Sequence, residues 1–365
     1  MKIIMACGGT GGHIFPAVSV SEELRNRRPP VDTLYVCGKK DIETAIFSMV
    51  KGEKVVSIES APFRGAASAL HPTFIWKLLS GFSQAWKLLR REKPDAVVGF
   101  GGHYSFPVLL AAKCMGIPTL LHEQNVVPGM ANKWLCRISD GVALSFEETR
   151  PLLSSKKCRV TGNPIRASIE RDCRQEALSH FGFSAEKKTL LILGGSQGAE
   201  SINTLYFEAL GRLGDAFKRG IQVLHLCGRM SATDAEERSR QGDVDARAFS
   251  FFERMDLAYG AADFCLGRAG ATFLAEIAVK GIPAILIPYP FGDGHQFRNA
   301  EAFGRTHGAT VLKQGELTGA ELARQLEALW TDLGRARAVE TPHGWQPRNA
   351  RRSLAEYIVE TAGAT

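Results

Sequence analysis

No stretch of the 365-residue sequence approaches the roughly 18 uninterrupted apolar residues that a membrane-spanning helix needs. Its eight cysteines stand at 7, 37, 114, 136, 158, 173, 227 and 265, without a C-x-x-C pair and without histidines at zinc-finger spacing. A disulfide scaffold and a structural zinc site are therefore not expected, and reduced cytosolic thiols are. The opening MKIIMAC carries too short an apolar run for a secretory leader and reads as a first strand. With 45% hydrophobic and 23% charged residues, the chain is neither disordered nor fibrous. The excess of 45 Lys and Arg over 38 Asp and Glu gives a net charge of +7, which favours anionic partners without choosing among them.

What is present is a regular alternation. Short Val-, Ile- and Leu-rich runs at Ile3–Cys7, Thr33–Cys37, Val55–Glu59, Ala96–Phe100, Thr119–His122 and Val142–Phe146 are separated by helical patterns. A second series follows at Thr189–Gly194, Gln222–Cys227, Ala248–Phe251, Phe264–Leu266 and Ala284–Pro288. Runs of this kind between helices predict α/β architecture with a doubly wound parallel sheet, made twice. At this length two domains are expected, 1–163 and 164–345, with the break where Thr161-Gly162-Asn163-Pro164 ends a strand. A last helix, about 346–365, packs against one domain or the other; pattern alone does not say which.

Three strands run into glycine turns: Gly8-Gly9-Thr10-Gly11-Gly12-His13, Phe100-Gly101-Gly102-His103 and Gly194-Gly195-Ser196-Gln197-Gly198-Ala199. Glycine lets backbone N–H groups approach an anion, and a following helix adds partial positive charge, so a phosphate or a sugar ring fits there. The dinucleotide fingerprint fails, because Ile14 stands where its third glycine belongs and strand two ends in Gly38-Lys39-Lys40 rather than an acid. A phosphate-binding P-loop fails for want of its Lys. One rival pattern does match: Gly194–Gly198 satisfies G-x-S-x-G, and with Asp263 and His295 downstream a serine hydrolase can be assembled in the right order.

The ordered set Gly8–His13, His122-Glu123-Gln124-Asn125, Thr161–Arg166, Gly194–Ala199 and Asp293–Ala300 resembles the bacterial undecaprenyl-pyrophosphoryl-muramoyl-pentapeptide N-acetylglucosaminyltransferases over nearly the whole chain. The resemblance implies two facing Rossmann-like domains of the glycosyltransferase B type, with the active site in the interdomain cleft. It implies inverting transfer of N-acetylglucosamine from UDP-N-acetylglucosamine to the 4-hydroxyl of an undecaprenyl-linked muramoyl acceptor. That converts lipid I to lipid II in peptidoglycan synthesis, with no cofactor and no metal.

In that reading Thr10, Gly11 and Gly12 line the acceptor side and His13 is the general base, although a helix-capping or phosphate-orienting histidine fits the same place and His103 is a second candidate. Arg166, with Ser196 and Gln197 before a helix, neutralises the diphosphate, unless Arg166 is an interdomain ion-pair partner. Glu276 grips the ribose hydroxyls, following Ala271 and Thr272 at a helix start. Phe252 offers its backbone to uracil beside Phe251 and Met255. Gln296, Asn299 and Asn125 face sugar hydroxyls. A diacylglycerol glycosyltransferase and a UDP-N-acetylglucosamine 2-epimerase are the nearest alternatives on the same fold.

Between Arg64 and Lys93 there are six Lys or Arg against one acid, around Ile75, Leu78, Leu79, Phe82, Trp86 and Leu89 at helical spacing. Either this stripe covers the sheet, or it lies on an anionic membrane surface with Lys77, Lys87, Arg90 and Arg91 beside lipid headgroups; both hold if Phe74 and Trp76 face outward. The second reading puts the protein on the cytoplasmic face of the bacterial membrane as a peripheral protein. Nucleic acid is not expected as a partner, because the basic residues form no recognised binding module.

Overall fold

Along β1 (Lys2–Ala6), Ile3 and Met5 point into one apolar cluster and Ile4 and Ala6 into another, all fully buried. A strand covered on both faces needs a continuous apolar run rather than an alternating one, and every strand of such a sheet is parallel to its neighbours. The computed structural model describes residues 1–39, 44, 46–48, 52, 54–62, 71–154, 157–195, 199–291, 294–333 and 349–363. The chain divides into two compact units, Met1–Arg166 with Gly344–Thr365, and Ala167–His343.

The first unit carries β1, β2 (Asp32–Cys37), β3 (Lys54–Ser57), β4 (Ala96–Gly99), β5 (Thr119–Glu123), β6 (Gly141–Leu144) and β7 (Cys158–Val160), in the order β3-β2-β1-β4-β5-β6-β7. Its helices are α1 (Gly11–Arg25), α2 (Pro72–Glu92), α3 (Ser105–Cys114) and α4 (Met130–Leu135). Helix α1 begins at Gly11, so Gly11, Gly12 and His13 form its first turn. Pro16 lies inside the helix, where it has no N–H to give the Gly12 carbonyl. The last helix, Ala350–Thr361, packs on α1, and its Leu354, Ala355 and Ile358 complete the cluster around β1 and β5. Tyr357 donates to the Lys157 carbonyl at 3.0 Å and Arg159 pairs with Glu360 at 2.7 Å. Gly141 makes this approach possible, since a Cβ there would stand 2.5 Å from the Tyr357 hydroxyl oxygen.

The second unit has β8 (Lys188–Leu193), β9 (Ile221–Leu226), β10 (Asp245–Phe249), β11 (Phe264–Gly267), β12 (Ala284–Leu286) and the two-residue β13 (Thr310–Val311), in the order β10-β9-β8-β11-β12-β13, again all parallel. Its helices are α5 (Arg174–Phe181), α6 (Glu200–Leu210), α7 (Asp215–Gly220), α8 (Ala232–Gln241), α9 (Met255–Ala261), α10 (Ala271–Lys280), α11 (His295–His307) and α12 (Gly319–Thr331). The polar segment after the break forms a short 3-10 turn, Ala167–Glu170, followed by α5. Strands β7 and β13 were not marked by the apolar pattern, because both are edge strands of two or three half-buried residues.

Both sheets reverse their strand order once, between β1 and β4 and between β8 and β11. Outside the carboxyl ends at such a reversal the flanking connections part to opposite faces and leave a crevice, where open α/β sheets bind ligands. The glycine turns stand at these two places.

Candidate functional site

In the first unit the crevice is built from the turn after β1 and the turn after β4. Gly9, Gly101 and Gly102 have φ of +86°, +85° and +74°, a region side-chain-bearing residues avoid. A Cβ on Gly102 would lie 2.8 Å from the Gly8 carbonyl oxygen, so the two turns touch through bare backbone. His13 sits between them: Nδ1 is 3.0 Å from the Gly8 carbonyl and 3.4 Å from the Thr10 hydroxyl. A Cβ placed on Gly101 would be 3.4 Å from His13 Nε2. The carbonyl can only accept, so Nδ1 carries the proton and Nε2 is left as the basic atom. Desolvation lowers the His13 pKa below its ordinary value, and the Gly8 carbonyl opposes this. The imidazole is thus held neutral.

Thr10 caps α1 in extended conformation without a side-chain cap bond, and its carbonyl accepts from the His13 and Ile14 N–H groups at 3.2 and 3.4 Å. Beneath the turn lies a polar network that the sequence pattern only hinted at. Glu123 is buried, and its carboxylate accepts from Asn125 N and Nδ2 (2.9 and 3.3 Å), Gly129 N (3.2 Å) and Asn132 Nδ2 (2.8 Å). Burial raises its pKa against these four donors. Asn125 is therefore fixed at the crevice by its neighbour two residues back, and Asn132, which sequence reasoning passed over, flanks Gly101 alongside His13. His122 faces the Gly162 carbonyl at 3.2 Å and is pushed down to about 4, mainly by burial. His103, the competing base, packs edge-on against Tyr104 at the start of α3. Arg166 lies in this unit, its guanidinium 4.5 Å from the Phe15 ring centroid on the first turns of α1.

In the second unit the corresponding place is a cavity of about 280 Å³ lined by Gly194, Ala199, Glu200, Ser201, Arg268, Tyr289 and Gln296. Gln296 Oε1 accepts from Ala269 N (3.2 Å) and Tyr289 N (3.0 Å), which turns its amide nitrogen the other way. Asn299 is fully buried and donates to the Ala269 carbonyl at 3.3 Å, so it braces the turn after β11. Ala271 and Thr272 open α10, which has no side-chain cap. Glu276, on the same helix, is only 5% exposed and accepts from the Tyr259 hydroxyl at 2.7 Å. It is not the solvated acid that a second-turn glutamate usually is. The Phe252 ring turns inward among Phe249, Phe181 and His180 at 4.9 to 5.8 Å. Its own N–H and C=O make no hydrogen bond to the described residues, while the ring of Phe251 is exposed. Ser196, Gln197 and Asp293 lie outside the described residues.

The hydrolase alternative fails on geometry. Asp263 precedes β11, where its backbone N–H bonds the Thr189 carbonyl and its carboxylate takes Thr189 N and Arg174. Thr189 is the second residue of β8, and the glycine turn follows the strand's end; five residues at about 3.3 Å each put the acid some 16 Å away, at the opposite edge of the sheet.

A pair of doubly wound parallel units is the architecture of glycosyltransferases that take nucleotide sugars, and the chain matches that class in both halves. Residues 3–144 match the glycosyltransferase family 28 N-terminal domain and residues 189–342 the family 28 C-terminal domain. The chain belongs to glycosyltransferase family 28. It is 38% identical over 376 residues, covering 99% of each chain, to the UDP-N-acetylglucosamine--N-acetylmuramyl-(pentapeptide) pyrophosphoryl-undecaprenol N-acetylglucosamine transferase of Halothermothrix orenii. The enzyme of the same name from Geobacter metallireducens is 37% identical, with 99% of this chain and 97% of the relative covered. The crystal structure of Acinetobacter baumannii MurG superimposes with a TM-score of 0.77 at 26% identity, over 98% of this chain and 99% of that one. A UDP-GlcNAc 2-epimerase from Neisseria meningitidis, bound to UDP-GlcNAc, reaches a TM-score of 0.70 at 14% identity over 99% of this chain and 100% of that one, a likeness of fold alone.

Proposed function

We propose that this chain transfers N-acetylglucosamine from UDP-N-acetylglucosamine to the 4-hydroxyl of the muramoyl sugar on undecaprenyl pyrophosphate, with inversion, making the disaccharide lipid precursor of peptidoglycan. The near full-length identity to enzymes of that name supports the substrates. The observation that carries the chemistry is His13, a neutral imidazole whose Nε2 is left as the basic atom beside Gly101 at the reversal of the first sheet. Its Nε2 takes the hydroxyl proton while the oxygen attacks the anomeric carbon. The bond from that carbon to the β-phosphate oxygen breaks, its electron pair leaves with UDP, and the proton passes later to solvent.

The first unit holds the acceptor through Thr10, Gly11, Gly12 and Asn125. The second holds the donor: Phe252 through its open backbone groups at uracil, Glu276 at the ribose hydroxyls, Ala271 and Thr272 by their helix-start amides, and Gln296 and Asn299 around the sugar. Arg166, Ser196 and Gln197 face the diphosphate, and no metal takes part. The lipid acceptor places the protein on the cytoplasmic face of the membrane, where α2 meets anionic headgroups. No described helix is long and apolar enough to cross a bilayer.

The test is UDP release from UDP-N-acetylglucosamine, with and without a lipid I analogue, in EDTA. Release that needs the acceptor, survives EDTA and drops at least tenfold in Glu276→Ala is expected. Release without acceptor would point to the epimerase reading, and loss of turnover in EDTA would refute the metal-free mechanism.

A further inference from the structure

Tyr259 is only 2% exposed, and its hydroxyl donates to Glu276 Oε2 at 2.7 Å. An apolar core accepts a phenylalanine as readily as a tyrosine; the phenol oxygen needs a partner once it leaves water, and here the partner is a buried acid on another helix. A hydroxyl bonded to a carboxylate is held more strongly than one bonded to a neutral oxygen. The ring lies against Phe273, with centroids 6.5 Å apart and planes 28° from parallel. Phe273 and Glu276 are both on α10, so ring and hydroxyl of Tyr259 meet the same helix. Helix α9, which carries Tyr259, is fixed at both ends. Asp256 in its first turn is buried and pairs with Arg254 at 2.8 Å, and Arg254 reaches Glu176 on α5 at 3.2 Å. At Gly260 a Cβ would stand 2.6 Å from the Cys173 sulfur, so the last turn presses on the chain just before α5. The phenol oxygen therefore has a set position, and the longer glutamate comes to it.

We propose that Tyr259 is a positioning residue for donor binding, which holds Glu276 in the rotamer that meets the ribose 2′- and 3′-hydroxyls. This rests on the donor reading given above. Glutamate has a long, rotamer-rich side chain, and the entropy lost on ordering it opposes whatever hydrogen bonds it makes to a ligand. With the phenol bond already in place, that ordering precedes the donor instead of accompanying it. A carboxylate has about four acceptor positions, so the one taken by the phenol is compatible with two ribose hydroxyls. Helix α9 begins three residues after Phe252, so one rigid helix both follows the segment facing uracil and sets the acid facing the ribose.

Calorimetric titration of UDP and of 2′,3′-dideoxy-UDP into wild type, Tyr259→Phe, Glu276→Ala and the double variant tests this. Wild type is expected to prefer UDP at least tenfold. Tyr259→Phe keeps the ring against Phe273 and removes only the donor, so the preference shrinks at least threefold. Affinity for the dideoxy ligand stays within twofold of wild type, which also shows that the unit is folded. Glu276→Ala brings the preference below threefold, and adding Tyr259→Phe to it changes the binding of neither ligand by more than twofold. An equal loss of both ligands in Tyr259→Phe would make the tyrosine a structural prop and overturn the assignment, as would an unchanged preference. A wild type that binds the two ligands alike, or a Glu276→Ala variant that keeps the full preference, would instead bring down the ribose reading itself.

Discussion

Nδ1 of His13 is committed to the Gly8 carbonyl, so a proton taken up by this neutral ring has one destination, Nε2. Because the surroundings lower its pKa, the residue stays in its active, neutral form to a more acidic pH than a free histidine would. With His13 as the base proposed above, the rate falls only as pH drops through this lowered value, and the acidic limb of a kcat profile is expected below about pH 6.5. His13→Ala should cost on the order of a hundredfold to ten-thousandfold in kcat and abolish that limb, with KM for the donor little changed. If His103→Ala abolishes the limb and His13→Ala does not, the base is His103. Much of this was readable beforehand: a histidine after glycines at the end of a strand is visible in the sequence. The tautomer was not, because it is decided by a carbonyl five residues earlier that only the folded turn brings to the ring.

At the scale of the element, α2 is covered along one part of its length and bare along another. Gly81 lets its middle press on the chain after β3, where a Cβ would meet the Glu59 carbonyl oxygen at 2.1 Å. From there on Phe82, Ala85, Trp86, Leu88 and Leu89 pack into the apolar cluster of the first unit. Toward the helix start, Ile75, Trp76 and Leu79 are exposed, Trp76 and Leu79 by 62% and 63%, while Phe74 is half-buried. Met130 and Trp134 on α4 are exposed too, Trp134 by 58% and with Arg137 stacked 5.0 Å from its ring centroid.

Trp76 and Leu79 each contribute about 1 to 1.5 kcal/mol when half-immersed in a lipid interface. Replacing both with Ser is expected to lower partitioning onto vesicles containing anionic lipid by at least tenfold, measured by co-sedimentation, while UDP affinity is unchanged. Equal sedimentation of variant and wild type would remove α2 from the membrane contact. The helical spacing foretold an apolar stripe; how much of it the sheet covers depends on where the helix touches, which spacing does not encode.

For the whole molecule, among the described residues each unit carries one wholly buried, neutral histidine: His122 in the first and His225 in the second, whose Nε2 is 2.9 Å from Asn203 Oδ1. Both are pushed down to about 4, chiefly by burial. Their folded-state pKa lies below the unfolded one, so below pH 6.5 the unfolded chain binds more protons and stability falls with pH, levelling off near pH 4. A shift of this size corresponds to about 3 kcal/mol per histidine. Urea unfolding followed at pH 7 and pH 4.5 by hydrogen exchange, which reports each unit, should show both units weakened. His225→Gln should spare the second unit the share of its loss that His225 causes, with His307, likewise pushed down to about 4 by burial, keeping another share, and leave the first as it was. An undiminished acid loss in the second unit of that variant would show that other groups set it.

The sequence by itself determined the class of the fold and where chemistry belongs. Uninterrupted apolar runs can only be strands covered on both faces, runs alternating with helices can only be parallel, and glycines after such strands mark the edge where backbone must come close to a ligand. Those rules are local, and so they are legible in order along the chain. Other features hold residues far apart in sequence, and only the tertiary structure decided them. The last helix returns to the first unit because Gly141 leaves room for Tyr357, over two hundred residues away. Asp263 is spent on the amino edge of its sheet, which ends the hydrolase alternative. Arg268 is an ordinary basic residue in the sequence; it became a buried cation, over the Tyr289 ring and without an ion pair among the described residues, when β11, β12 and α6 closed around it, because charge and burial can be compared only when the neighbours are in place.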